Sequence, residues 1–214
     1  MSWDHDGLTI RVDETAAPLP LPIRGTVRLC PAALPDYSAT LDVGSRHRWR
    51  PIAPSARVEV TLQQPSLRWF GSGYLDSNDG DVALEQDFIA WNWSRAHGRD
   101  TTAILYDGQR RSGDRFELAL AFDADGGHHA IQPPPHVGLP ATGWRVPRGT
   151  RVDERRESKV LRTLEDTPFY ARSLLATHLL GEPMLAVHES LSLNRFQAPW
   201  VQILLPFRMP RRSR

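Results

Sequence analysis

The sequence predicts an all-β fold, either an antiparallel sandwich or a barrel, on the strength of three observations. Apolar and polar residues alternate with a period of two in many short segments, as is typical of strands with one buried face. The 15 glycines and 18 prolines are scattered along the chain and favour short elements over long helices. With 214 residues, 40% of them hydrophobic, the chain is large enough to form one sizeable core. A barrel is favoured over a sandwich if the interior has to hold a ligand.

The strands predicted first lie in the N-terminal and central parts of the chain. Their alternation is clear in five segments, 8–12, 23–29, 56–62, 102–107 and 116–122. Turn signals such as Asp107-Gly108 and Ser112-Gly113 bound these segments. The proline-rich segment 129–143, HAIQPPPHVGLPATG, is predicted to be a rigid connection.

Three later segments, 169–180, 184–193 and 200–207, are also predicted to be strands. The sequence of 171–180, ARSLLATHLL, fits a short amphipathic helix as well, and both possibilities stay open. No repeat of fixed period and no linker divides the chain. We therefore predict a single domain over residues 1–214.

Charge and cysteine content exclude several classes of partner. The formal net charge of +1 gives no overall attraction to nucleic acid, so no nucleic-acid partner is expected. Cys30 is the only cysteine, which rules out an intramolecular disulfide and a cysteine metal site; no metal is expected. The start of the chain has no basic region followed by an apolar run, and no apolar stretch approaches the roughly 20 residues needed to span a bilayer. The expected location is the cytoplasm.

An acidic stretch within 69–88, WFGSGYLDSNDGDVALEQDF, admits three interpretations. A calcium loop of the EF-hand type is disfavoured, because Gly80 comes one place early and the flanks are strand-like. A hairpin turn through Asn78, Asp79 and Gly80 is the stronger interpretation, since glycine tolerates the positive φ of tight turns. That turn leaves Asp76 unexplained, so this residue could instead be an acid in an apolar pocket.

Three strands are each predicted to carry an ionisable group on the same face as an aromatic ring. In a barrel, such faces would line a pocket with apolar walls and a few polar groups. The alternative is ordinary packing of aromatic pairs, with the acids near hairpins in solvent. The groupings are Asp76 with Tyr74, His47 with Trp49, and Glu85, Asp87 and Ile89 with Trp91 and Trp93.

The residues around this stretch resemble the carotenoid 1,2-hydratase (hydroxyneurosporene synthase) family. The likeness is carried by five segments in the family's order: HRWRPIAPSARVEV (47–60), GSGYLDSNDGDVALEQDFIAWNWSRA (71–96), TLEDTPFYARS (163–173), VHESLSLNRF (187–196) and LPFRMPR (205–211). The resemblance implies a lipocalin-like antiparallel β-barrel. It also implies cofactor-free addition of water to the terminal C1–C2 double bond of an acyclic carotenoid such as neurosporene or lycopene. Family members begin further upstream, so we expect this chain to be the C-terminal major part of the family's length, with a barrel incomplete at the N-terminus.

The resemblance also implies roles for particular residues. Asp76 matches the aspartate of the family's GY-x-D motif and is the expected acid, and burial would raise its pKa so that it stays protonated. The family's H-x-W and GY motifs place His47, Trp49 and Tyr74 in the pocket lining. We expect His47 to be the base that takes a proton from water, with Glu85 as a weaker alternative.

Further aromatic and polar residues complete the predicted substrate-binding set. Aromatic faces could stabilise the carbocation that forms when the alkene is protonated. His188 is predicted to lie on one face of a strand, either as a polar group of the pocket or as an interior hydrogen-bonding residue. The full set of predicted substrate-binding residues is Trp49, Tyr74, Trp69, Trp91, Trp93, Glu85 and His188.

Two alternatives to a hydratase remain open: a carotenoid- or lipid-binding barrel without catalysis, and a related barrel enzyme that cyclises a terpenoid. A basic tail over 206–214 suggests peripheral contact with anionic lipid, worth about 1 kcal/mol for each basic residue near the surface. The simpler interpretation of that tail is a solvated terminus.

Overall fold

The computed structural model describes residues 1–16 and 19–205, and its first sheet is built from the N-terminal strands. These strands are β1 (Ser2–Asp4), β2 (Gly7–Thr15), β3 (Pro22–Pro31), β4 (Ala39–Thr40), β5 (His47–Gln64) and β6 (Leu67–Gly80). All pairings are antiparallel, in the order β1-β2-β3-β5-β4, and β6 lies along the other edge of β5.

The second sheet contains seven strands in the order β10-β9-β8-β7-β15-β14-β13. Their bounds are β7 (Phe88–His97), β8 (Thr101–Arg110), β9 (Arg115–Asp123), β10 (His128–Ala130), β13 (Lys159–Asp166), β14 (Tyr170–Leu179) and β15 (Glu182–Ser192). A two-stranded sheet joins β11 (His136–Gly138) to β12 (Gly149–Arg151), and the helices are α1 (Leu84–Asp87), α2 (Leu193–Phe196) and α3 (Pro199–Leu204).

The main core lies where inward-facing aromatic side chains of the two large sheets meet. Trp49 of β5 and Phe88 of β7 are completely buried, and Trp49 meets Tyr106 of β8 edge to face with ring centroids 5.8 Å apart. Phe116 of β9 packs against the same tyrosine at 5.3 Å. Along each strand these residues alternate with residues of the opposite face, so every second side chain is buried in this core, as the alternation in the sequence predicts.

A second core lies on the outer face of the second sheet. Small residues such as Ala96 and Ala103 face outward there, and Ile131, Leu139 and Val160 pack against their cluster. The proline-rich segment 129–143, predicted to be a connection, therefore also covers this face.

The prediction of an antiparallel all-β fold is confirmed. All five segments with clear alternation lie in strands, and the strand interpretation of 171–180 is correct because these residues form most of β14. The strand predicted over 200–207 is wrong as far as residue 205, since Pro199 begins α3. Proline suits the first turn of a helix because its fixed φ is helical and its missing N–H would have no partner there. Residues 206 and 207 lie outside the described part.

The strands of the described residues do not close into a barrel, which the resemblance predicted to be incomplete at the N-terminus. Within residues 1–16 and 19–205, the two large sheets remain separate along their edges. The long strand β5 bends instead: its register with β6 shifts between Pro51 and Ala53 and again before Ala56. Pro51 and Pro54 have no N–H for a strand ladder, which explains why the pairing breaks at this point.

Two predicted turns are wrong. Asn78, Asp79 and Gly80 are not a hairpin turn but the last residues of β6, where Gly80 pairs with His47 of β5. Gly108 lies inside β8, opposite Phe116 of β9. A Cβ at Gly108 would come within 1.9 Å of Cε1 of that ring, so this glycine permits the close approach of an aromatic ring instead of a turn.

Candidate active site

A cavity of about 560 Å³ lies between the two large sheets. One wall comes from β6 of the first sheet, and the other walls come from five strands of the second sheet. The lining residues are Ser72, Tyr74, Asp76, Asn78, Trp91, Trp93, Arg95, Tyr106, Leu164, Arg172, Val187 and Glu189.

Asp76 is held in this cavity by two neutral donors. The indole Nε1 of Trp49 and the hydroxyl of Tyr74 both donate to Asp76 Oδ2, each over 3.0 Å. Tyr74 precedes Asp76 by two residues on β6 and shares its face, while Trp49 reaches it from the neighbouring strand β5. Both of these bonds go to the same oxygen, Oδ2.

The environment of Asp76 favours its protonated form. Burial raises the pKa of this carboxyl, the donors Trp49 and Tyr74 partly oppose the rise, and the negative charge of Glu189 adds to it. Removing a carboxylate from water disfavours the charged state, which explains the direction. Asp76 is therefore suited to donate a proton.

The walls around Asp76 are aromatic. The rings of Tyr74 and Trp93 lie 5.0 Å apart between centroids, and Trp91 meets Tyr106 edge to face at 5.9 Å. Burial raises the pKa of both tyrosines, which remain neutral phenols. The cavity thus offers π faces to a positive centre without offering a strong nucleophile.

The opposite wall carries a charged pair. Arg172 Nε of β14 donates to Glu189 Oε1 of β15 over 2.9 Å, and the same guanidinium lies 3.5 Å from Glu165. Its Cζ stands 5.6 Å from the ring centroid of Tyr170. Neither Glu189 nor Arg172 was predicted from the sequence to belong to the site. The available signal was the alternation of Val187, Glu189 and Leu191, which puts one acid on an otherwise apolar face.

Arg95 is a buried cation that joins the two sheets at the cavity. Its Nε donates to the carbonyl of Pro54 over 2.8 Å, and its Nη2 donates to Ser72 Oγ over 3.0 Å. Burial lowers the pKa of this guanidinium to about 10, which still leaves it charged at neutral pH.

His47, the predicted base, does not line the cavity. Its side chain is 1% exposed, its Nε2 lies 2.8 Å from Asp87 Oδ2, and its ring packs edge to face on Phe88. Asp87 ends α1, the short helix that the sequence analysis interpreted as strand. The alternation of His47 with Trp49 on β5 was predicted correctly, but the His47 ring is bonded to α1 and kept from the cavity.

The other predicted substrate-binding residues divide into two groups. Tyr74, Trp91 and Trp93 line the cavity, and Trp49 reaches it through its bond to Asp76. The remaining three residues do not line it, and their predicted roles gain no support from their positions. These are Trp69, Glu85 and His188.

Local structure explains each of these three positions. Trp69 is an odd number of residues from Tyr74 on β6, so it lies on the opposite face and is 46% exposed. Glu85 lies in α1, where its carbonyl accepts a hydrogen bond from Arg111. His188 faces away from the cavity, with Nε2 2.7 Å from the carbonyl of Gly149, and burial lowers its pKa to about 4.

The cavity does not resemble a metal site. Among the described residues, the one group of three potential ligands that lies close together is Asp4, His5 and Asp6, which are exposed and outside the cavity lining. None of the helices in the described ranges is long and apolar enough to cross a membrane.

Two antiparallel sheets around an aromatic cavity define a lipocalin-like β-protein, and solved structures agree with this class. A crystal structure of a protein from Nitrosomonas europaea described as an AttH superimposes with a TM-score of 0.55 at 15% identity, covering 88% of this chain and 66% of the other. The family model "Carotenoid hydratase CrtC" matches residues 1–214. This chain belongs to the CrtC carotenoid hydratase family, as the resemblance predicted.

Curated relatives of this chain are named as acyclic carotenoid 1,2-hydratases. The acyclic carotenoid 1,2-hydratase of Thiocapsa roseopersicina is 53% identical over 212 residues, which are 99% of this chain and 52% of the relative. That of Rubrivivax gelatinosus is 45% identical, with 100% and 53% covered, and that of Cereibacter sphaeroides is 40% identical, with 99% and 76% covered. The chain thus spans about half the length of the first two relatives.

Proposed function

We propose that this chain carries the active site of an acyclic carotenoid 1,2-hydratase, a hydro-lyase that adds water to the terminal C1–C2 double bond of an acyclic carotenoid. The observation that carries the proposal is the buried, protonation-prone Asp76 in an aromatic cavity. Family membership and the names of the relatives support the same substrate class. We propose that the reaction runs without a cofactor, because hydration is redox-neutral and Asp76 can supply the proton.

The first step is proton transfer from Asp76 to C2. The π electrons of the double bond form the new C–H bond, and C1 becomes a tertiary cation. Trp91, Trp93 and Tyr106 present rings to this charge, and cation–π contact is worth about 2 kcal/mol or more when desolvated. Water then adds to C1, loses a proton and leaves a tertiary alcohol.

Hydration can be tested by coexpressing the 214-residue chain in a lycopene-producing bacterium and analysing the pigments by mass spectrometry. We expect lycopene to gain one or two waters. Unchanged lycopene beside folded protein would instead support the binding barrel without catalysis. A product of unchanged mass but different chromatographic mobility would support the terpenoid cyclase.

The rate of hydration is expected to depend on pH through Asp76. Because the protonated acid is the active form, the rate should fall about tenfold per pH unit above the pKa of Asp76. Tyr74→Phe removes a donor that lowers this pKa, so the falling limb should move to higher pH. The check is a pH–rate profile of both proteins with substrate in detergent micelles. A limb that stays in place or moves to lower pH would contradict this assignment.

We also propose that the C-terminal end contacts the membrane that holds the substrate, from the cytoplasmic side. Helix α3 buries Val201 but leaves Trp200 49% and Ile203 69% exposed. The basic tail predicted over 206–214 follows it directly, although it lies outside the described residues. Its cations are Arg208, Arg211, Arg212 and Arg214.

Cosedimentation with vesicles tests this contact. The full chain should bind vesicles containing phosphatidylserine more tightly than vesicles of phosphatidylcholine alone, and added salt should weaken the difference. A chain ending at Leu205 should lose the preference for the anionic vesicles. Equal binding of both chains to both kinds of vesicle would argue against a role for the tail.

A further inference from the structure

We propose that Glu189 is the base that takes the proton from the attacking water, an inference that rests on the proposed hydration. The cavity presents two carboxyl groups from opposite walls, Asp76 on β6 of the first sheet and Glu189 on β15 of the second. Hydration of an alkene needs two such groups, because one carbon gains a proton while the water that adds to the next carbon must lose one.

The two carboxyl groups have opposite environments. Asp76 is bonded to the neutral donors Trp49 and Tyr74, whereas Glu189 is bonded to the guanidinium of Arg172 over 2.9 Å. An adjacent cation stabilises a carboxylate, while burial among neutral groups stabilises the acid. A carboxyl group bonded to neutral donors and a second one paired with a cation can serve as acid and base of one reaction.

The predicted bases fit the cavity less well than Glu189. His47 Nε2 lies 2.8 Å from Asp87, and its ring is buried against Phe88 outside the cavity lining. Glu85 lies in α1, also outside the lining. A general base has to be within hydrogen-bond reach of the proton that it takes, directly or through one water. Glu189 is the second carboxyl group among the residues that line the cavity.

The reaction balances with these two groups. The O–H bond of Asp76 breaks as the π electrons form the C2–H bond. A lone pair of water then forms the C1–O bond, and one water proton passes to the carboxylate of Glu189. The proton returns from Glu189 to Asp76 through solvent, so the net change is the addition of one water.

Deuterium exchange separates the roles of the two carboxyl groups. Without its base, the enzyme should still form the cation, which returns to alkene by losing a proton from C2. In D2O, Glu189→Gln should therefore lower hydration at least about 100-fold while deuterium still enters the recovered substrate. Asp76→Asn should give neither hydration nor exchange. Mass spectrometry of the product and of the recovered substrate measures both hydration and deuterium incorporation.

Two further variants serve as controls. Glu165→Gln changes the other carboxylate next to Arg172, outside the cavity lining, and should hydrate at close to the wild-type rate. Glu189→Asp keeps the charge beside Arg172, so it should fold even if the glutamine variant does not, and it should combine normal exchange with slowed hydration. Circular dichroism verifies the fold of each variant.

The outcomes distinguish this inference from the proposed function. Hydration by Glu189→Gln at close to the wild-type rate would overturn the role of Glu189. Loss of both deuterium exchange and hydration in a folded Glu189→Gln variant would overturn it as well. Absence of both hydration and exchange in the wild type would instead overturn the proposed function itself.

Discussion

Asp76→Asn is expected to lower carotenoid hydration by at least about 1000-fold, to the background of the assay, because the amide has no proton of comparable acidity to give to C2. The fold should persist, since the side-chain oxygen of asparagine can still accept hydrogen bonds from Trp49 Nε1 and the Tyr74 hydroxyl. Pigment analysis after coexpression with the variant measures the loss.

The matched control is Asp79→Asn, which changes an acid on the same strand. Asp79 lies outside the cavity lining and pairs with Arg48 over 2.8 Å at a half-exposed surface. Surface pairs of this kind contribute about 0–1 kcal/mol to stability, so hydration should stay close to wild type. Full activity in the Asp76 variant would remove this residue from the acid role.

Phe88→Ala is expected to lower the free energy of unfolding by about 3–5 kcal/mol. Phe88 is completely buried, and its ring meets those of His47, Trp91 and Phe116 edge to face. Truncation removes these contacts and leaves a cavity that the surrounding aromatic rings can fill only in part. Urea denaturation followed by circular dichroism gives the change.

Phe70→Ala provides the comparison for the same change of side chain. Phe70 lies on β6 and is 78% exposed, so its removal should change the free energy of unfolding by no more than about 0.5 kcal/mol. Similar losses in the two variants would show that the ring of Phe88 is not buried against His47, Trp91 and Phe116.

The strands were predictable from the sequence because burial in a sheet repeats every second residue, as in β14, where buried and half-buried residues alternate throughout. The helix α3 was missed because WVQILLP also fits a strand, and the first-turn proline is a weaker signal than the apolar run. Whether the sheets close into a barrel could not be predicted from spacing, since sheet closure depends on contacts between distant strands. The single domain over residues 1–214 stays a prediction.

Within the site, spacing along one strand predicted which residues share a face, but it did not predict contacts between distant segments of the chain. Tyr74 and Asp76 share a face because they are two residues apart on one strand, and the sequence is sufficient to predict this. His47 lies outside the cavity lining because Asp87 of α1 binds the histidine ring, and spacing did not predict this helix. Glu189 was not predicted because it shares the cavity with Asp76 only through the packing of two sheets, and spacing along the chain carries no information about that packing.

Because side chains of both sheets line the cavity, the proposed chemistry depends on tertiary folding. In a chain whose second sheet has not yet packed, Asp76 would be hydrated, and an ordinary hydrated aspartate is ionised at neutral pH. Its pKa rises only when the second sheet packs against β6 and takes the carboxyl group out of water. Under the proposed function, an unfolded chain would therefore lack the acid, and the capacity to form a carbocation would arise together with the cavity that holds the substrate.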